Sequence, residues 1–211
     1  MIKTIEPIIG RTNYGGGHPI ILPLPCYMIA TYDENNNPDL MMVAYGGQCD
    51  YNKIIVYLSP HHKTTENLRL KRAFTLSFAS ASTIIGSDYC GIISANKYPN
   101  KVKDAGFTII DSPNVNAPII CEYPIALECK VKDLRLCKDE HTRVIGEIIN
   151  MSVDNNYIGT DNKIDLDKVR PVVYDSSHNT YRVIGEIVGR AFKSGKEIIN
   201  KIKYNHDKRT H

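Results

Sequence analysis

The sequence predicts a mainly β (α+β) domain, an antiparallel barrel with short helices plugging its ends. Three observations predict it. Strand-length apolar runs recur in the first third of the chain and again after residue 120, with polar turn clusters between them. Two long runs, 125–137 and 143–153, are separated by the charged turn Lys138-Asp139-Glu140. Helical patterns are few and short, and the strand–helix alternation of a doubly wound sheet fails after residue 120.

The elements follow in order. Leu24-Pro25-Cys26-Tyr27-Met28-Ile29-Ala30-Thr31 is an apolar run that stops at the turn cluster Asp33-Glu34-Asn35-Asn36-Asn37-Pro38. Asp39-Leu40-Met41-Met42-Val43-Ala44-Tyr45 returns from that turn and completes a hairpin. Lys53-Ile54-Ile55-Val56-Tyr57-Leu58-Ser59 is rich in β-branched residues and ends at Pro60. A short helix is expected over 64–71: threonine and Glu66 stand at its start, and Lys71 and Arg72 at its end, as the helix dipole favours. The alternating run 73–79 reads as a half-buried strand. A helical segment is expected over 83–90, loop over 91–116 with a short helix at 101–105, and a surface excursion after Tyr157. A last strand is expected over 181–187 and a closing helix over 195–203. No repeat or linker divides the chain, so a single domain over 1–211 is expected, with its core at about 22–196.

Composition narrows the function. A net charge of +3 among 26 basic and 23 acidic residues is too weak to argue for nucleic acid. Lys193, Lys196, Lys201, Lys203, Lys208 and Arg209 form the one basic concentration, which a solvated helix face and tail explain. No apolar run approaches the roughly 20 residues of a membrane span, and Met1 to Pro7 lack a signal peptide's apolar stretch. A cytoplasmic protein without membrane or nucleic-acid partners is the expectation. The six cysteines contain no C-x-x-C pair and read mostly as buried reduced thiols, with no metal site expected.

There is no G-x-G-x-x-G after a strand, no Walker loop, no H-E-x-x-H and no G-x-S-x-G. Gly15-Gly16-Gly17 has no helix after it and reads as a connection. Two chemistry-bearing clusters remain. In Ser59-Pro60-His61-His62-Lys63-Thr64-Thr65 a strand end meets a helix start, which gathers main-chain donors, two hydroxyls and a lysine suited to a phosphate. On these residues alone an ordinary helix cap is the simpler account. In Cys90-Gly91-Ile92-Ile93-Ser94-Ala95-Asn96, followed by Asn100-Lys101, small residues permit close approach to a flat ligand, and Ser94 and Lys101 can donate hydrogen bonds. Any glycine-containing surface loop reads similarly.

In this order the clusters resemble the flavin reductase-like, FMN-binding split-barrel family, in particular its flavoredoxin branch. The resemblance runs from about Leu22 to Lys196. It is carried by Pro25, Asn37-Pro38-Asp39-Leu40-Met41-Met42-Val43-Ala44, Ser59-Pro60 with Lys63-Thr64-Thr65, Cys90-Gly91-Ile92-Ile93-Ser94 and Asn100-Lys101. Further on it rests on the strand 120–130, on His141 with Gly146-Glu147-Ile148, and on the ending 181–192. The resemblance implies a homodimer with non-covalent FMN near the interface. The ring would lie along Met41, Met42, Val43 and Ala44. The phosphate would be held by His62, Lys63, Thr64 and Thr65, with help from Ser94 and Lys101. Three positions depart from the family's pattern: Tyr45 stands where Trp is frequent, His62 where Arg is frequent, and Asn100 where an acidic residue is common.

The implied activity is that of an NAD(P)H-dependent flavin reductase-like oxidoreductase. The alternative is a flavoredoxin-type electron carrier that exchanges electrons with a partner protein and has no nicotinamide site. A barrel that takes another anionic ligand is a third reading. No catalytic side chain is assigned. His141 could donate a proton, but a structural hydrogen bond explains a strand histidine more simply. Tyr181 and Phe192 read as packing or dimer contacts, and Cys90 as a packing thiol.

Overall fold

The computed structural model describes residues 9, 20–138, 140–199 and 202. Gly15-Gly16-Gly17 and the basic residues Lys201, Lys203, Lys208 and Arg209 lie outside them.

Seven strands form the main sheet, in the order β3 (Pro38–Val43), β2 (Tyr27–Tyr32), β6 (Ala73–Phe78), β9 (Ile125–Leu136), β10 (Thr142–Val153), β5 (Lys53–Leu58) and β4 (Gly46–Asp50). Every pairing is antiparallel. The two edge strands, β3 and β4, are consecutive in the chain, with only Ala44-Tyr45 between them. A sheet whose outer edges are joined by two residues must curl on itself, and the Tyr57 N–H donates to the Tyr45 carbonyl at that seam (3.0 Å). The expected mainly β barrel is what forms, left split where β3 passes into β4.

Side-chain alternation explains the two cores. Ile29, Met41 and Val43 point into the barrel with Val56, Phe74, Leu76, Cys129 and Val144. Met28, Ala30 and Leu40, on the opposite face of the same strands, pack under α2 (Ile84–Ile92) and α3 (Lys101–Asp104) with Cys90, Val102 and Tyr123. Strand β2 is covered on both faces, which is why its sequence is almost continuously apolar. Helix α1 (Lys63–Lys71) closes one end of the barrel through Leu68.

The region expected to be loop holds a small hairpin of β7 (Ile109–Asp111) and β8 (Pro118–Ile120). A further three-stranded sheet joins β1 (Leu24–Pro25), β11 (Val172–Asp175) and β12 (Thr180–Val183), and α4 (Leu166–Val169) precedes it. The last strand therefore ends at Val183 and does not run to 187. Of the expected closing helix, 196–199 is helical, and most of the rest lies outside the described residues. Among the described residues no helix is long and apolar enough to cross a membrane. All six cysteines are free. Cys26, Cys90 and Cys129 are buried, whereas Cys49 and Cys121 are exposed, so burial holds for half of them. Burial pushes the Cys26 and Cys90 thiols up to about 11 and Cys129 to about 12.

Strand β9 bulges at Lys132, opposite Ile145–Gly146 of β10, where the glycine faces the ring of Phe74. A Cβ at Gly146 would stand 2.4 Å from Phe74 Cζ, and that ring is fully buried. Gly146→Ala is expected to cost about 1–3 kcal/mol through overpacking. The check is a lower urea midpoint at unchanged slope. An unmoved midpoint would show that the ring steps aside freely.

Candidate functional site

The site is built where the barrel's open edge meets the two helices over it. At one end lies a cleft of about 130 Å³ between the start of α1 and the segment after α2, lined by Asp39, Met41, His62, Lys63, Thr64, Gly91, Ile92, Ile93, Ser94, Ala95 and Lys101. A second cleft of about 190 Å³ adjoins it across Gly91 and Ile92 and is lined by Cys26, Met42, Ala44, Asp88, Tyr174 and Tyr181. The helix can lie this close to the strand because residue 91 is glycine: a Cβ there would be 3.1 Å from Met42 Cβ. The result is a continuous trough along β3. Neither cleft alone reaches the roughly 300–1,000 Å³ of a small-molecule site. A nucleotide-sized ligand must span both.

Helix α1 begins at the first cleft. His62 takes the N-cap position without a side-chain cap, and its carbonyl accepts from the Thr65 and Glu66 N–H groups. The N–H groups of Lys63 and Thr64 precede these bonds and are the donors that a helix start leaves for an outside acceptor. The Lys63 ammonium lies 2.9 Å from Glu34 Oε2 and 3.4 Å from Glu66 Oε1. Burial lowers its pKa, but the two carboxylates outweigh that effect and raise it. Burial lowers the His62 pKa, so the imidazole stays neutral near pH 7. The permanent charge that an arginine would bring is thus missing at this position. Across the cleft, Ser94 Oγ accepts from the Asn96 N–H (3.3 Å), which leaves its own hydrogen to donate.

Behind these groups is a buried ionic cluster. Lys101 and Asp39 are each only 2% exposed, with 2.8 Å between Nζ and Oδ1. The same ammonium donates to the carbonyls of Cys90 (3.2 Å) and Ile93 (3.1 Å), at the end of α2. Two of the ammonium's three donors go to these carbonyls, and Asp39 Oδ1 is held as an ion pair without hydrogen-bond geometry. Thr64 Oγ1 donates to the other Asp39 oxygen (2.5 Å). Lys101 therefore lines the cleft while tying α3, α2 and β3 together, and Asp39 ties β3 to α1.

The second cleft has a different chemistry. Tyr181 donates from its hydroxyl to Asp88 Oδ1 (2.6 Å), lies 3.5 Å from Met42 Sδ, and packs its ring on Tyr174 at 5.9 Å. Burial, then Asp88, raise its pKa, so the phenol stays protonated. Met42 on the edge strand β3, and Ala44 in the link just after it, face this cleft.

Of the residues expected from sequence, Met41, His62, Lys63, Thr64, Ser94 and Lys101 meet in the first cleft, and Met42 and Ala44 in the second. Val43 turns its side chain into the barrel core. The buried Thr65 hydroxyl donates to the Ser59 carbonyl (2.8 Å) and so stabilises the strand-to-helix turn. His141 lines neither cleft. Asp88 and Tyr174 were not anticipated. The helical spacing of Asp88, Gly91 and Ile92 could have placed Asp88 beside the glycine on one face.

The family model described as "Flavin reductase like domain" matches residues 21–181. The chain belongs to this family. Among solved structures, flavoredoxin of Desulfovibrio vulgaris (Miyazaki F) is 30% identical with a TM-score of 0.78, over 90% of this chain and 100% of that one. An FMN-binding domain of a flavin reductases-like enzyme from Shewanella baltica OS155 shares the fold at 18% identity, with a TM-score of 0.69 over 79% and 89% of the two chains. The uncharacterised protein YdfE of Bacillus subtilis (strain 168) is 32% identical over 96 residues, an alignment covering 44% of this chain and 45% of YdfE. The chain thus aligns with less than half the length of that curated relative. In this flavin reductase-like domain the trough runs along the edge strand β3, and the basic helix start closes one end of it.

Proposed function

We propose that this chain binds FMN non-covalently in the trough and works as a cytoplasmic redox protein. The observation that carries the reading is the trough's polarity. One end gathers the α1 N-terminus, Lys63 and Ser94, as a phosphate dianion requires. The other end is an edge strand with Met42, Ala44 and a tyrosine pair, which suits a flat ring. Other openings among the described residues are larger than either cleft, but they fit less well. The opening of about 600 Å³ beside Tyr32 and Asp111 is lined by no cation, and that of about 490 Å³ around Tyr27 and Phe78 is almost wholly apolar.

When bound, FMN supplies the two-electron chemistry. The chain's own part is to hold and orient it. Lys63 and the first N–H groups of α1 would fix the phosphate, and Asp39 and Lys101 would keep the wall in place. The protonated Tyr181 would close the ring end with its hydroxyl anchored on Asp88. We read the activity as that of an NAD(P)H-dependent flavin reductase-like oxidoreductase acting as a homodimer. The likeness to flavoredoxin over 90% of the chain favours a second reading, an electron carrier served by a redox partner protein.

The purified protein is expected to be yellow, or to take up FMN one per chain, with FMN recovered by chromatography after denaturation. A colourless protein that ignores added FMN would overturn the reading and favour another anionic ligand. Anaerobic mixing with NADH and NADPH then separates the two activities. Rapid loss of the flavin's visible absorbance supports the reductase, and its absence leaves the carrier.

A further inference from the structure

The chain leaves its own body after β12. The Ile184 N–H donates to the Pro171 carbonyl (3.2 Å), the last main-chain tie to the domain among the described residues. Among the described residues, the hydrogen bonds of 185–199 stay within the segment: Arg190 to Lys193 and Ser194, Lys193 to Lys196, and Gly195 to Ile198. Its apolar residues are not those of a solvated tail. Ile187, Val188 and Phe192 are 86%, 94% and 99% exposed, and Ile198 and Ile199 are more than half exposed.

Beside the root of this segment is an apolar groove of about 490 Å³, walled by Tyr27, Phe78, Met151, Leu166, Val173 and Ile184 itself. Ile184 belongs to the wall, yet 185–199 leave the groove open. Five large apolar residues within 185–199 are more than half exposed, a concentration of the kind that marks an interaction site. Extended, the segment's fifteen residues reach roughly 50 Å, enough to cross to a neighbour.

We infer that 184–199 is an arm that crosses to a second copy of this chain and lays Ile187, Val188 and Phe192 in that copy's groove. Because Ile184 is both the root of the arm and a wall of the groove, a two-fold axis beside it satisfies both arms and both grooves at once, which gives a closed isologous pair. The inference rests on the homodimer reading above and adds the element that makes the pair. The groove shares Cys26 with the second cleft, so circular dichroism, rather than FMN uptake, reports on the fold of each variant.

The test uses the full-length protein and light scattering over a dilution series. The wild type is expected at twice the chain mass. Val188→Asp with Phe192→Asp on the arm, and separately Leu166→Asp on the groove, are each expected to weaken the dimer roughly a hundredfold or more, as loss of an interface anchor does. Far-UV circular dichroism should be unchanged in both. A wild-type monomer would overturn the homodimer reading and the arm together. A dimer that survives the arm substitutions would overturn the arm alone. A dimer lost with the arm substitutions but kept in Leu166→Asp would show that the arm docks elsewhere and overturn its assignment to the groove.

Discussion

Lys101→Met is expected to be among the most destabilising single substitutions in this protein, costing about 3–5 kcal/mol. The ammonium and the Asp39 carboxylate are both sealed from solvent, 2.8 Å apart. Removing one charge leaves the other buried with no counter-charge, and that uncompensated group accounts for most of the cost. It also releases the carbonyls of Cys90 and Ile93, so the end of α2 loses its tie to β3. For a chain of this size the thermal midpoint should fall by roughly 10 °C. Asp39→Asn in the same chain should recover much of the loss, because a neutral amide still offers Thr64 an acceptor without stranding a charge. Urea unfolding of the two single variants and the double variant measures the coupling directly. A cost below about 1 kcal/mol for Lys101→Met would show that the pair holds nothing together.

The role of Lys101 marks where the sequence stops being informative. A lysine after a glycine-containing loop reads naturally as a phosphate ligand. Its commitment to Asp39 is invisible because the two residues stand on separate elements, α3 and β3, that only folding brings together. Strands with strong periodicity were legible: the runs 125–137 and 143–153 became β9 and β10, and 53–59 became β5. Strand β4 was not, since Gly46-Gly47-Gln48-Cys49-Asp50 has neither β-branched residues nor alternation. It is a strand because it pairs with β5 and continues from β3. The hairpin of β7 and β8 and the strand β11 are three or four residues long, too short for a period to show. The site divides the same way. The helix start at Lys63 and the glycine at residue 91 were legible from local sequence, whereas the Tyr181–Asp88 anchor joins residues 93 positions apart in the chain.

Lys63→Met is expected to show the opposite profile to Lys101→Met: little change in stability, and a fall of about ten- to a hundredfold in FMN affinity. Its partners in the ligand-free chain, Glu34 and Glu66, are each more than half exposed. Lys63 itself is only 10% exposed, but its partners face solvent, where such pairs contribute about 0–1 kcal/mol, and methionine keeps the buried stem, so the exchange costs the fold little. A phosphate dianion at the start of α1 would draw the ammonium from those carboxylates into a charge-assisted hydrogen bond worth about 1.5–3 kcal/mol, which sets the expected loss. The same competition gives the converse result. Glu34→Gln with Glu66→Gln frees the ammonium and removes two negative charges from the approach to the cleft, so FMN should bind more tightly than to the wild type. Quenching of flavin fluorescence on titration measures all three affinities. If Lys63→Met binds FMN as the wild type does, the α1 end of the trough is not where the phosphate sits. The polarity on which the proposed orientation depends would then have to be reversed.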